Sequence, residues 1–210
     1  MLLTASCMKP SAESHQQTII DSYDFLRDFP ALTNEGLVNI VVEIPAGCNQ
    51  KWEVNKQTGH LEWEMIGGDS LRVVKYLPYL ANYGMIPGTW LPVSQGGDND
   101  PLDVFLLGER AARGSVISAR IIGVIKMQDK GQQDDKLIAV TGQDWFAEVH
   151  DLNDLEELYP GIIDIFKAWL TNYKGKQGIV EIQSIEDYSY ANNLLNHAIK
   201  SFQTTEGIIH

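Results

Sequence analysis

From residue 37 onward the chain alternates short apolar runs with turn-forming residues, whereas the first 36 residues do not. LVNIVVEIP is β-branched and alternating and stops at Pro45, which predicts a strand. KWEVNKQTGHLEWEM gives two alternating runs about a turn containing Gly59, the pattern of a hairpin. RVVKYLPYL is apolar but carries Pro78, which suits an edge or an irregular stretch. DVFLLGE, SVISARIIGVIKMQD and DKLIAV predict further strands, divided by glycine-rich or charged turns. Helical spacing begins later. DLNDLEELYPGIIDIFKAWLTNYK carries apolar residues at Leu152, Leu155, Leu158, Ile162, Ile165, Phe166 and Trp169 and is interrupted at Pro160. Its acidic start and Lys174 near its end suit the helix dipole. SYANNLLNHAIKSF predicts a second helix near the C-terminus. Strands first and helices after predict a mainly β, α+β fold, a small closed or partly open barrel with helices packed outside.

Composition narrows the partners. A length of 210 residues supports one well-buried core. A net charge of -12 argues against a broad basic face for nucleic acid. It leaves room for a phosphate-bearing ligand, because divalent cations can stand between carboxylates and phosphate. Nothing approaches the roughly 20 apolar residues of a membrane span. Cys7 and Cys48 form neither a metal spacing nor a disulfide framework. MLLTASCMKP resembles the end of a lipoprotein signal but has no basic n-region and too short an apolar stretch. The expected location is therefore cytoplasmic, with export through a remnant at Cys7 as the alternative.

The candidate chemistry lies in QGGDNDPLDVFLLGE, residues 95–109, where Asp98, Asp100 and Asp103 cluster around Pro101. Carboxylate runs in turns are most often solvated surface. Here they stand at the mouth of an apolar strand, they repel one another unless a cation compensates, and proline restricts their backbone. A helix-loop-helix calcium loop does not fit, because Asp103 stands where that loop needs glycine and Leu102 where it needs a ligand. A second acidic turn, KMQDKGQQDDKLIAV, holds Asp129, Asp134 and Asp135 with Lys136 close behind. Two such turns on neighbouring strand ends can converge into an oxygen-rich site of the kind hard cations such as Mg²⁺ prefer.

At these residues the chain resembles the family I soluble inorganic pyrophosphatases, whose signature is of the form D-x-D-P-x-D. The resemblance spans roughly residues 37–173 and recurs in order: Glu43 in VVEIPAG, Lys51 and Glu53 in QKWEVN, Tyr83 in LPYLANYG, then Asp129, Asp134 and Lys136, and finally Tyr173 and Lys174 in NYK. It implies a five-stranded OB-like barrel flanked by two C-terminal helices. Residues 1–36 are then an N-terminal extension and residues 37–210 a single catalytic domain. The implied reaction is Mg²⁺-dependent hydrolysis of pyrophosphate to two orthophosphates by a metal-activated water. Several ions are expected per site, with Mn²⁺ or Zn²⁺ as possible substitutes, and the chain is expected to form a homo-oligomer, hexamer or dimer.

Carried over residue by residue, the resemblance makes Asp98, Asp103 and Asp134 ligands of the tightest metal and puts Asp100 at the water. Asp129 with Asp134 would serve a metal arriving with substrate, and Glu43 and Glu53 complete the acidic set. Lys51, Arg72, Tyr83, Lys136, Tyr173 and Lys174 would grip the phosphoryl groups. The phosphate-binding arginine falls at Arg72 or, as a lysine, at Lys75; Arg72 is favoured for its bidentate fork. Asp135 is read as a neighbour, and Trp52, Trp63 and Trp90 as structural. Taken one at a time, each tyrosine, lysine and glutamate has an ordinary surface or packing explanation. Two rivals differ in class. An aspartyl-phosphate phosphatase needs its Asp-x-Asp pair on a parallel strand among alternating helices, and a covalent phospho-enzyme would mark it. A non-catalytic binding barrel would keep acidic loops for a structural cation alone.

Overall fold

A computed structural model of the chain describes residues 17–68 and 70–209, so Cys7 and the lipoprotein reading built on it lie outside the described residues. The strands are β1 (Ile19–Ile20), β2 (Val38–Ile44), β3 (Trp52–Val54), β4 (Leu61–Trp63), β5 (Met65–Ile66), β6 (Ser70–Leu71) and β7 (Asn82–Met85). They continue with β8 (Asp103–Leu107), β9 (Val116–Asp129), β10 (Gln132–Gln133) and β11 (Lys136–Val140). Helices α1 (Leu152–Leu158) and α2 (Ile162–Asn172), strand β12 (Val180–Asp187) and helix α3 (Tyr188–Ile209) complete the order.

Five strands close into a ring. β2 pairs with β7, β7 with β8, β8 with β11, β11 with β9, and β9 returns to β2. The β8–β11 pair is parallel and the other four are antiparallel. The 14-residue β9 makes closure possible: its start pairs with β2 and its middle with β11, while β12 lies along its second half. Gly84 is required where β7 crosses β2, since a Cβ there would meet the Val41 carbonyl oxygen at 1.8 Å.

The ring strands bury both faces, so their sequences read as continuous apolar runs rather than clean alternation. Phe105, Ile138 and Val140 pack with Phe166 and Trp169 of α2 and Leu155 of α1. The alternate residues Val104, Leu106, Leu137 and Ala139 pack against Ala191, Leu195 and Ala198, one stripe of α3 at helical spacing.

The helical segment interrupted at Pro160 is two helices. α1 is capped by Asp151, whose carboxylate accepts from the Asn153 and Asp154 amides at 2.7 and 2.9 Å. It stops at Leu158 because proline cannot continue the hydrogen-bond ladder, and α2 restarts after Gly161, held at φ 87°. Among the described residues the α-helices therefore number three, two of them made from the segment read as one. The hairpin is present as β3 with β4, and RVVKYLPYL is irregular apart from an isolated bridge between Val73 and Gln50. Within the N-terminal arm, β1 pairs with β4, and the fully buried Phe25 packs beside Leu26 on Trp52, Val54, Leu61 and Trp63. No helix among the described residues is long and apolar enough to cross a membrane.

Candidate active site

One end of the ring opens into a cavity of about 1020 Å³. All thirteen residues named from the sequence line it: Glu43, Lys51, Glu53, Arg72, Tyr83, Asp98, Asp100, Asp103, Asp129, Asp134, Lys136, Tyr173 and Lys174. Lys75 is exposed and does not line it, whereas Arg72 does. Asp135 is outside it too, its carboxylate accepting from the Met127 amide at 3.1 Å.

The backbone explains this convergence. The acidic turn is stitched to the preceding segment: the Leu91 amide donates to the Asp100 carbonyl at 3.0 Å, and the Asn99 amide to the Leu91 carbonyl at 3.0 Å. Asn99 takes φ 63°, a value asparagine tolerates, and the Asp100 amide donates to Asp98 Oδ1 at 3.2 Å. Behind Pro101, the buried Thr89 hydroxyl accepts from the Leu102 amide and donates to the Ile86 carbonyl. The second acidic turn closes through Lys130 and Gly131, both at positive φ, as a two-residue hairpin requires. That turn fixes Asp129 at the end of β9 and Asp134 just before β11.

Ammonium groups stand among these carboxylates. Lys136, 3% exposed, bridges Asp103 and Asp134. Lys174 pairs with Asp129, and Lys56 pairs with Asp100. Lys51 lies 3.7 Å from Glu53. Arg72 grips Glu64, Nη1 meeting both carboxylate oxygens at 2.8 and 2.7 Å.

Burial dominates the titration of the site. It pushes Glu43 up to about 8 even though Lys51 opposes it. It pushes Asp98 up to about 7, with Asp103 adding repulsion and Lys136 opposing. For Asp134 burial also acts upward, but Lys136 beside it prevails and holds the carboxyl below its ordinary range. Lys136 is itself driven down by burial, and Asp103 and Asp134 overcome that and hold it firmly protonated. Tyr83 is raised well above the usual phenol by burial, so it can donate a hydrogen bond but not ionise.

A cation fits this donor set. Asp129 Oδ1 is buried without a hydrogen-bond partner, and Asp98 is a poorly compensated carboxyl in an acidic cluster. Among the described residues no three His, Cys, Asp or Glu groups converge closely enough to hold a metal as they stand. Lysines fill the spaces between them instead.

Tyr79 and Lys56 are among the cavity residues that were not anticipated. Tyr79 lines the cavity with its ring 5.1 Å from Tyr83 and 4.8 Å from Trp169. It lies four residues before Tyr83 in YLPYLANYG, so the same resemblance could have pointed to it. Lys56, in the hairpin turn, left no sequence signal; its pairing with Asp100 and its 3.2 Å bond to the Asn99 carbonyl exist only in the folded chain.

A five-stranded ring with carboxylates and ammonium groups interleaved at its open end defines a β-barrel protein with a densely charged mouth. A family model described as inorganic pyrophosphatase matches residues 40–203. Inorganic pyrophosphatase of Drosophila melanogaster is 32% identical over 199 residues, covering 85% of this chain and 59% of the fly protein. That of Kluyveromyces lactis is 34% identical over 172 residues, covering 74% of this chain and 60% of its own. The solved Helicobacter pylori inorganic pyrophosphatase aligns with a TM-score of 0.69 at 30% identity, covering 84% of this chain and 99% of that one. A type I inorganic pyrophosphatase from Toxoplasma gondii aligns with a TM-score of 0.79 at 25% identity, covering 85% and 86%. The chain belongs to the family I soluble inorganic pyrophosphatases. It spans about three fifths of the length of these curated relatives.

Proposed function

We propose that the protein hydrolyses inorganic pyrophosphate to two orthophosphates with divalent cations, Mg²⁺ first among them and Mn²⁺ or Zn²⁺ as substitutes. The observation that carries this reading is the meeting of thirteen residues, named from separate stretches of sequence, in one cavity. Pyrophosphate is a polyanion, and attack on it requires its charge to be offset. The cavity interleaves carboxylates that hold cations with lysines, an arginine and tyrosines that meet phosphoryl oxygens directly.

Asp98, Asp103 and Asp134 would hold one cation, and Asp129 with Asp134 another, with Glu43 and Glu53 at the margin. When bound, the cations supply Lewis-acid activation of a water and neutralise phosphoryl charge. Asp100, tied to its turn through backbone and Lys56, would orient that water and accept its proton. Lys51, Arg72, Tyr173 and Lys174 would hold one phosphoryl group; Lys136 and Tyr83 would donate towards the other. Lys136 can do this only after its two carboxylates have another cation to face. A single catalytic domain at residues 37–210, residues 1–36 as an extension, a homo-oligomeric hexamer or dimer and a cytoplasmic location belong to the same proposal, supported by the family resemblance.

The test is orthophosphate release from pyrophosphate by the full chain, with Mg²⁺ and with EDTA. Metal-dependent release is expected. Its absence removes the assignment, and a trapped phospho-enzyme would replace direct water attack with the covalent route.

A further inference from the structure

A second cavity, of about 760 Å³, shares no lining residue with the catalytic one. Its walls are two short segments: Pro45, Cys48, Asn49 and Gln50 after β2, and Arg110 to Arg113 before β9. It holds two guanidinium groups and no carboxylate, in a chain with 28 acidic and 16 basic residues. The described acids do not compensate them. Neither Arg110 nor Arg113 forms an ion pair among the described residues, although Arg27 pairs with Asp24 and Arg72 with Glu64.

The pocket is built rather than incidental. Asn82, fully buried, joins its two walls. Its Oδ1 accepts from the Ala46 amide at 3.1 Å and the Ala111 amide at 2.9 Å, and its Nδ2 donates to the Glu109 carbonyl at 2.8 Å. Arg113 is equally fixed: Nε donates to the Glu43 carbonyl at 3.0 Å, and the guanidinium lies 4.4 Å from the centre of the Trp52 ring. Its Nη2 is buried and has no acceptor. Burial lowers the Arg113 pKa and the neighbouring Arg110 adds to this, whereas Cys48 opposes it. Arg110 is exposed and directs Nη2 at Cys48 Sγ, 3.4 Å away, a weak acceptor for a strong donor.

We propose that this pocket is a second anion site, taking a phosphate-class tetrahedral oxyanion against Arg110 and Arg113 with Gln50 as a further donor. Two guanidiniums held in one concavity without a counter-ion repel each other, and a doubly charged oxyanion relieves that repulsion while accepting charge-assisted hydrogen bonds. The rigid walls mean that little ordering is needed on binding. The site stands independently of the catalytic proposal, because none of its lining residues belongs to the catalytic cavity.

Cys48 is the reporter. In the metal-free full chain carrying Cys7→Ser, Cys48 is the sole thiol, and neutral iodoacetamide can time its exposure by mass spectrometry. Inorganic phosphate at constant ionic strength is expected to slow alkylation severalfold and saturably. Sodium chloride at the same ionic strength should not. A nucleoside monophosphate forms a parallel arm: protection by either supports the site, and their relative strength assigns the source. In Arg110→Ala the ratio of rates with and without phosphate should return to one, whereas Arg110→Lys should keep part of the protection. Absence of protection, equal protection by chloride, or undiminished protection in Arg110→Ala overturns the proposal; the last would place the phosphate elsewhere.

Discussion

Replacing Lys136 with methionine tests the electrostatic arrangement of the catalytic cavity most directly. The substitution keeps an unbranched stem of similar length but deletes the ammonium group that faces both Asp103 and Asp134. Those carboxylates, 23% and 16% exposed, then confront each other and Asp98, with Lys174, which pairs with Asp129, left to offset Asp134 from further off. Removing one partner of a buried ion pair costs about 3–5 kcal/mol. Here the aspartates can take up protons, so the lower figure of about 3 kcal/mol is expected near neutral pH. For a chain of this size that is a fall of roughly 6–12 °C in melting temperature. The loss should grow as pH rises, because the carboxylates then ionise and repel. Saturating Mg²⁺ should recover most of it, since a divalent cation supplies the missing charge. Scanning calorimetry of the parent and Lys136→Met, each in EDTA and in Mg²⁺ at two pH values, provides the comparison. An equal loss in both media would mean that Lys136 matters through packing alone, and the account of the cavity as a cation site fails.

Other consequences can be checked in parallel. Glu43, held near 8 in the folded metal-free chain against an ordinary 4.5, binds more protons folded than unfolded between those values. Stability should therefore fall, by on the order of a few kcal/mol, as pH rises through that window, and Glu43→Gln should flatten the slope in urea titrations performed in EDTA. Unchanged slopes in the variant would remove Glu43 as the cause. Asp100→Asn should lower turnover by about 10²-fold or more while calorimetry shows Mg²⁺ binding retained; near-normal hydrolysis would mean that its role is misassigned. Arg72→Ala should raise KM for pyrophosphate, whereas Lys75→Ala, at an exposed position off the cavity, should not; the reverse outcome would transfer the phosphate contact to Lys75.

Some of this architecture was legible in the sequence because it is local. DVFLL and KLIAV announce strands buried on both faces, and Gly59 marks the hairpin. The aspartates stood out because turns gather them within a few residues of one another. Lys56 and Asp100 meet only through folding, so no window of sequence contains both. Strand β12 was missed because VEIQSIED offers few apolar residues, and it gains its order by lying along β9. The packing of Phe25 and Leu26 was missed for the same kind of reason: their segment has no period, and its order comes from the hairpin beneath it.

The catalytic cavity depends on a single choice of strand direction. Asp103 begins β8 and Lys136 begins β11, and the parallel register sets them opposite each other. Had these strands paired antiparallel, the two acidic turns would have been placed at opposite ends of the ring, about five residues apart, at 3.3 Å per residue. Parallel pairing instead puts both turns at one mouth, and the antiparallel β9 then delivers Asp129 to the same mouth through its terminal hairpin. Register matters as much as direction. A slip of one residue would turn Lys136 to the opposite face and leave Asp103 and Asp134 without their shared ammonium. That slip is resisted by Ile138 and Val140 on one face and Leu137 and Ala139 on the other, each set committed to a different helix layer. The apolar residues of β8 and β11 thus hold the geometry of the charged ones, which is why an acidic turn that looked like solvated surface can be kept crowded and half-buried.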